Sequence, residues 1–116
     1  MAGKGARTIN LEQGMPTSDQ AIKRLTYEIA NSKSMGFDVL KIIHGYGSTG
    51  TGGKIRVEAR RYLDRQVQQK KIKRYVAGEN FTIFDEDTRS ILAACGELRR
   101  DNDLERHNNG VSFILL

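Results

Sequence analysis

The segment from Val39 to Arg56 constrains this chain more than any other. An apolar run, Val39-Leu40-Lys41-Ile42-Ile43, leads into His44. Five glycines follow within nine residues (Gly45, Gly47, Gly50, Gly52 and Gly53), and then a basic stretch opens with Lys54-Ile55-Arg56. The pattern reads as strand, glycine-rich loop and helix. A strand of this kind needs neighbouring strands and a helix layer over it, so the chain belongs among the α/β folds. Glycines let backbone amides approach a ligand without side-chain obstruction. The first turn of the helix offers unpaired N–H groups and the positive end of a dipole, which suit an anion such as phosphate. His44 sets a titratable group beside that cradle.

The rest of the chain supplies the partners this unit needs. Residues 1–6 are expected to be a flexible tail and residues 7–116 a single domain. Thr8 to Leu11 reads as a first strand. Met15-Pro16-Thr17-Ser18-Asp19 has the composition of a helix entry, and Ala21, Ile22, Leu25, Ile29 and Ala30 then recur at helical spacing up to Gly36. Phe37 to Ile43 is almost continuously apolar, as expected of a central strand covered on both faces. The second helix is expected from Lys54 to Gln69 and a third strand over Ile72 to Val76. Asp85 or Asp87 caps a short third helix that ends at Gly96. The charged stretch 97–107 suits an ion-paired surface segment or a lid over the glycine loop. Asn108-Asn109-Gly110 marks a turn. Val111 to Leu116 closes the chain as an apolar strand, leaving no spare tail. The order βαβαβ(α)β points to a two-layer α/β sandwich, or to a three-layer one, with an insert near 80–109.

Charge narrows the choice of ligand. Net charge is +5, yet Lys54 to Arg74 alone contains nine Lys or Arg and two acids, an excess of +7. A basic excess next to an anion-friendly loop favours a polyanionic partner, although a solvated helix face gives the same composition. No apolar run reaches the roughly 20 residues needed to span a bilayer, so no membrane association is expected. The start of the chain lacks the apolar core of an export signal, and Cys95 has no cysteine partner, so a reducing, cytoplasmic setting is expected. His44, Cys95 and His107 have no zinc-ligand spacing; neither a metal nor an organic cofactor is expected.

Nucleotide motifs with fixed spacing do not fit. A P-loop requires glycine where Ser48 stands and a hydroxyl residue where Ile55 stands. A dinucleotide site is set aside because no acidic residue closes the expected strand Ile72 to Val76. Instead Lys41-Ile42-Ile43-His44-Gly45-Tyr46-Gly47, followed by the glycine-rich loop and Lys54-Ile55-Arg56, resembles the His-Gly-x-Gly motif of the small MutS-related (Smr) domain family. The order of elements resembles that family from about Thr8 to Leu116. The family's other motif, Leu-Asp-x-His-Gly on the first strand, corresponds here to Ile9-Asn10-Leu11-Glu12-Gln13-Gly14. Asn10 stands in place of Asp, Glu12 in place of His, and Gly14 one position late. The resemblance implies a fold similar to the C-terminal domain of translation initiation factor 3, binding of DNA or RNA, and endonuclease activity of the kind found in some members.

Residue roles follow from chemistry and from the resemblance together. His44 suits a general acid or base at a phosphodiester, a hydrogen-bond donor to phosphate, or a structural cap on the strand. Glu12 would supply a second acid/base group if the ends of the first two strands meet. Asn10 is able to hydrogen-bond but not to act as a base. Gly45, Gly47, Gly50, Gly52 and Gly53, with Lys54, Arg56 and Arg60, would contact phosphate, and Tyr46 would stack on a base. The expected protein is a monomer that binds nucleic acid, with a protein partner in a repair or translation complex also in view. Two alternatives stand beside it: a non-catalytic anion- or nucleotide-binding protein, and a protein-interaction module.

Overall fold

In the computed structural model of the chain the described residues are 3–45 and 51–116. Four strands and three helices alternate: β1 (Ala6–Asn10), α1 (Ser18–Ser34), β2 (Val39–Ile43), α2 (Thr51–Gln68), β3 (Arg74–Ala77), α3 (Glu86–Ala94) and β4 (Val111–Leu115). Two short 3-10 turns, Gly78–Asn80 and Gly96–Arg100, flank α3. The strands form one mixed sheet in the order β1-β2-β4-β3. β1 and β2 run parallel, with Asn10 opposite Ile43, while β4 runs antiparallel to both β2 and β3.

Local sequence sets the ends of α1. The Thr17 hydroxyl accepts from the Gln20 N–H while the Gln20 side chain accepts from the Thr17 N–H, a reciprocal capping box. At the other end Phe37 N–H bonds to Ser32 O and Gly36 N–H to Lys33 O, with Gly36 at φ +87°. That is a Schellman close, and it requires the left-handed conformation that glycine adopts at little cost. The first strand opens at Ala6, inside the segment expected to be tail. Lys4 N–H bonds to Gly36 O, and the Ala6 N–H to the Glu97 carboxylate. α2 starts three residues earlier than the spacing suggests, so Gly52 and Gly53 lie in its first turn rather than in a loop.

Strand alternation sorts the side chains into two cores. Ile9, Leu11, Leu40, Ile42 and Ile114 face α1 and α2, where Ala21, Leu25, Ile29, Ile55, Ala59 and Leu63 meet them. Val39, Val76, Val111, Phe113 and Leu115 face the other way, against Phe81, Ile91, Leu92, Cys95 and Leu98. The segment 78–109 is therefore the cover of the second sheet face. Every residue of β4 is buried as a result. Phe81 and Phe113 stack with centroids 3.9 Å apart, an arrangement worth about 1 kcal/mol beyond the area it buries.

Polar anchors on both faces of the sheet tie the layers together. Arg7 on β1 reaches Glu28 and Ser32 of α1 at 3.2 and 2.9 Å. On the opposite face Lys41 Nζ lies 3.0 Å from Asp101 and 2.7 Å from Asp103, and 5.3 Å from the centre of the Phe113 ring. Burial by itself lowers the Lys41 pKa, but hydrogen bonds to Asp103 and Asp101 outweigh it and the pKa is raised. The acids of the charged stretch thus clamp a lysine of the central strand. Lys41→Met leaves two largely buried carboxylates without a counter-charge, and should cost about 3 kcal/mol or more in urea unfolding. Adding Asp101→Asn and Asp103→Asn should recover most of that loss. A single-variant cost of a few tenths would mean that the clamp is a surface pair.

Candidate functional site

The C-terminal ends of β1 and β2 meet at one edge of the molecule, as parallel pairing requires. Leu11 N–H bonds to Ile43 O at 2.8 Å, which extends the ladder by one residue. The Asn10 side chain then accepts from the Glu12 N–H at 2.9 Å and turns the chain out of the strand. Asn10 is thereby a turn former through its side-chain oxygen, and the phosphate contact expected of it would use the Nδ2 donors, which that bond does not occupy. Glu12 comes to lie against Gly45. A Cβ placed on Gly45, whose φ is +76°, would overlap the Glu12 carboxylate. The expected neighbourhood of Glu12 and the His44-Gly45 corner is therefore present, with Glu12 exposed.

His44 sits deeper than its expected role requires. Strand alternation points it to the α1/α2 side of the sheet, and it is fully buried. The Gly45 carbonyl lies 2.8 Å from Nδ1 and the Ser112 hydroxyl 2.9 Å from Nε2. A carbonyl only accepts, so Nδ1 carries the proton and Nε2 accepts from Ser112. The backbone is pinned as well: the N–H groups of His44 and Gly45 both bond to Gly110 O, at 2.9 and 3.0 Å. Burial lowers the His44 pKa, the Gly45 hydrogen bond opposes this, and the charges of Arg60 and Arg56 lower it further, to about 4. At neutral pH the ring is uncharged and both nitrogens are occupied. Of the three roles open to it, this geometry is that of a cap which holds the strand end. Proton transfer to a ligand would require it to leave Ser112 and Gly45 first.

Basic residues flank this corner. No acidic residue lies in the first turn of α2, Lys54 is exposed, and Arg56 is half-buried. A cation in a first turn opposes the helix dipole and lowers stability slightly, so the charge has no folding rationale there. Arg60 is committed elsewhere. It forms a two-pronged pair with Glu79 at 2.8 and 2.7 Å and a 3.3 Å bond to Asn109 O. Burial raises the Glu79 pKa, but the Arg60 hydrogen bonds and charge outweigh it and hold the carboxyl below its usual range. Arg60 thus forms a bridge that ties α2 to the turns after β3 and before β4, and a direct phosphate contact would compete with that pair. Tyr46, Gly47 and Gly50 lie outside the described residues.

Ser112, Gly110 and Glu79 were not singled out from the sequence. For Ser112 a signal exists: it is the only polar residue within Val111-Ser112-Phe113-Ile114-Leu115, on the face that otherwise joins the α1/α2 core. Nothing in the sequence marks Gly110 or Glu79 as neighbours of His44. Cys95 packs into the second core, where burial, with the nearby Glu97, pushes its thiol up to about 11. Among the described residues no three His, Cys, Asp or Glu side chains come together as a metal site. No helix among them is long and apolar enough to cross a membrane.

The comparisons with known proteins agree with this architecture. The model of the Smr domain family matches residues 9–80, which hold the end of β1, all of α1, β2, α2 and β3, and every basic residue of α2. The crystal structure of the Smr domain of Thermus thermophilus MutS2 is similar to this chain, with a TM-score of 0.56 at 15% identity, over 97% of this chain and 96% of that one. No curated protein matches the sequence.

The His44 environment gives stability a defined pH dependence. The folded ring holds its proton less tightly than the unfolded ring, so the unfolded state binds more protons between about pH 4 and 6.5. Stability should therefore fall as pH drops through that window, by about 2–3 kcal/mol between pH 7 and 4.5, and level off below it. Urea unfolding of wild type and His44→Asn at both pH values measures it. The variant should lose most of the His44 share, and an identical pH slope in both proteins would assign the effect to other groups.

Proposed function

The chain belongs to the Smr domain family, and from that premise we propose that it binds nucleic acid through the phosphate backbone at the edge where β1 and β2 end. One observation carries the reading: α2 opens without an acid and with Lys54 and Arg56, beside a strand end whose histidine feels the charge of Arg56 and Arg60. Backbone N–H groups in that first turn and the lysine and arginine side chains together suit phosphate oxygens. His44, Ser112 and Gly110 hold the corner in place, and Asn10 sets the adjoining turn. Contacts of this kind position a strand without reading its sequence, so binding should be salt-sensitive and weakly sequence-specific.

A second reading, endonuclease activity, is favoured by one feature. The exposed Glu12 carboxylate lies against Gly45, at the edge proposed to hold phosphate. Glu12 would act as the base, with His44 released from Ser112 to serve as its partner.

Fluorescence anisotropy with labelled single- and double-stranded DNA and RNA, at salt from about 50 to 200 mM, tests binding. The Lys54→Ala/Arg56→Ala variant should bind more weakly, with a slope of log K against log salt less steep by about 1.5. An unchanged affinity and slope would remove the site from this edge. Gel analysis of the same mixtures tests the second reading: cleavage that disappears in Glu12→Gln, with binding retained, selects the endonuclease.

A further inference from the structure

α1 and α2 both start at the proposed binding edge and run side by side to the opposite end of the molecule. Between their far halves lies a groove of about 460 Å³, floored by Ile29 and Tyr62 and rimmed by Lys33, Lys70 and Lys71. No acid lines it. Two other concavities of similar size balance their cations with acids: Asp64 and Asp87 beside Lys73 and Arg74 in one, Asp38 and Glu97 beside Lys4 in the other. The α1/α2 groove is thus positive and partly apolar.

The end of α2 adds an independent observation. Lys70 N–H bonds to Val67 O and Lys71 N–H to Gln66 O, the same Schellman close that ends α1. At the left-handed position α1 has Gly36, at φ +87°, whereas α2 has Lys70, at φ +60°. A lysine there is less stable than glycine by roughly 1 kcal/mol. The chain keeps a cation at a position where folding alone favours its removal, and a strained residue of this kind points to a role outside folding. Across the groove the Lys33 ammonium donates to Lys71 O at 2.8 Å, which holds it at the rim with N–H groups still to offer. Tyr62 is fixed too. Its hydroxyl lies 2.8 Å from that of Thr26, and the Arg65 guanidinium stands 5.9 Å from its ring centre.

We propose that this groove is a second contact for the same nucleic acid, and that the ligand is a single strand. This rests on the binding reading given above. Its phosphates would meet Lys33, Lys70 and Lys71, and an unpaired base would lie on the Tyr62–Ile29 floor. A duplex hides the faces of its bases, so an apolar, aromatic floor favours a strand whose bases are free. From Lys54 to Lys70 is sixteen residues, about 24 Å at the helical rise, which a stacked strand of about seven nucleotides spans. The strand would run along the two helices from the β1/β2 edge to the lysines.

Anisotropy with labelled homopolymer strands of about four, eight and twelve nucleotides tests this, using wild type and Lys70→Gly/Lys71→Ala. Wild type should gain affinity steeply between the two shorter lengths. The groove variant should bind the shortest strand as wild type does and the longest about tenfold more weakly. Its urea midpoint should be equal or higher, because glycine suits the left-handed position, and this separates lost binding from lost folding. A groove variant with the wild-type length dependence overturns the groove and leaves the binding edge standing. Wild type that binds no strand of any length overturns the earlier reading. A polyglutamate of matched charge that displaces the strand as well as an unlabelled strand does overturns the nucleotide assignment in favour of an acidic protein.

Discussion

The placement of β4 between β2 and β3 decides most of what this chain is able to do. β4 runs antiparallel to both neighbours and every one of its residues is buried. Its register sets Ser112 opposite Ile42, and this brings the Ser112 hydroxyl to the His44 ring and Gly110 O to the His44 and Gly45 amides. A slip of one residue would turn Ser112 to the other core and leave a buried histidine with an unmatched nitrogen, at a cost of about 1–3 kcal/mol. The polar contacts at the site therefore help to specify the register, and the register builds the site.

Covering the second sheet face is the condition for that arrangement. Phe113 and Val111 need apolar partners, which Phe81 and the α3 side chains provide. Lys41 points to the same face from the central strand, and Asp101 and Asp103 neutralise it. The charged stretch is thus spent on the back of the sheet. On the α1/α2 side Lys33, Lys54, Lys70 and Lys71 stay exposed, which leaves these cations where a polyanion would approach.

Much of this was legible in the sequence because it is local. The capping residues at Thr17, the helical spacing of Leu25 and Ile29, the apolar run of β2 and the turn at Asn108-Asn109-Gly110 each carry their signal within a few residues. The meeting of Glu12 with the His44 corner followed from expecting parallel first strands. Partnerships that depend on tertiary register were not legible. The capture of Arg60 by Glu79 and of Lys41 by Asp101 and Asp103 joins residues 19 to 62 positions apart, and no periodicity links them. The depth of His44 was hidden for the same reason. A histidine after an apolar strand fits an acid or base, a phosphate donor or a structural cap, and the antiparallel arrival of Gly110 and Ser112 is what encloses it.

His44 holds the edge where β1 and β2 end as a neutral, doubly bonded ring. Long-range proton–nitrogen correlation spectra of the histidine rings at pH 7 test it most directly. His44 should carry its proton on Nδ1, with Nε2 unprotonated, down to about pH 4. A proton on Nε2 at pH 7, or a ring that titrates near its ordinary value of about 6.5, would contradict it and favour the acid or base role for His44.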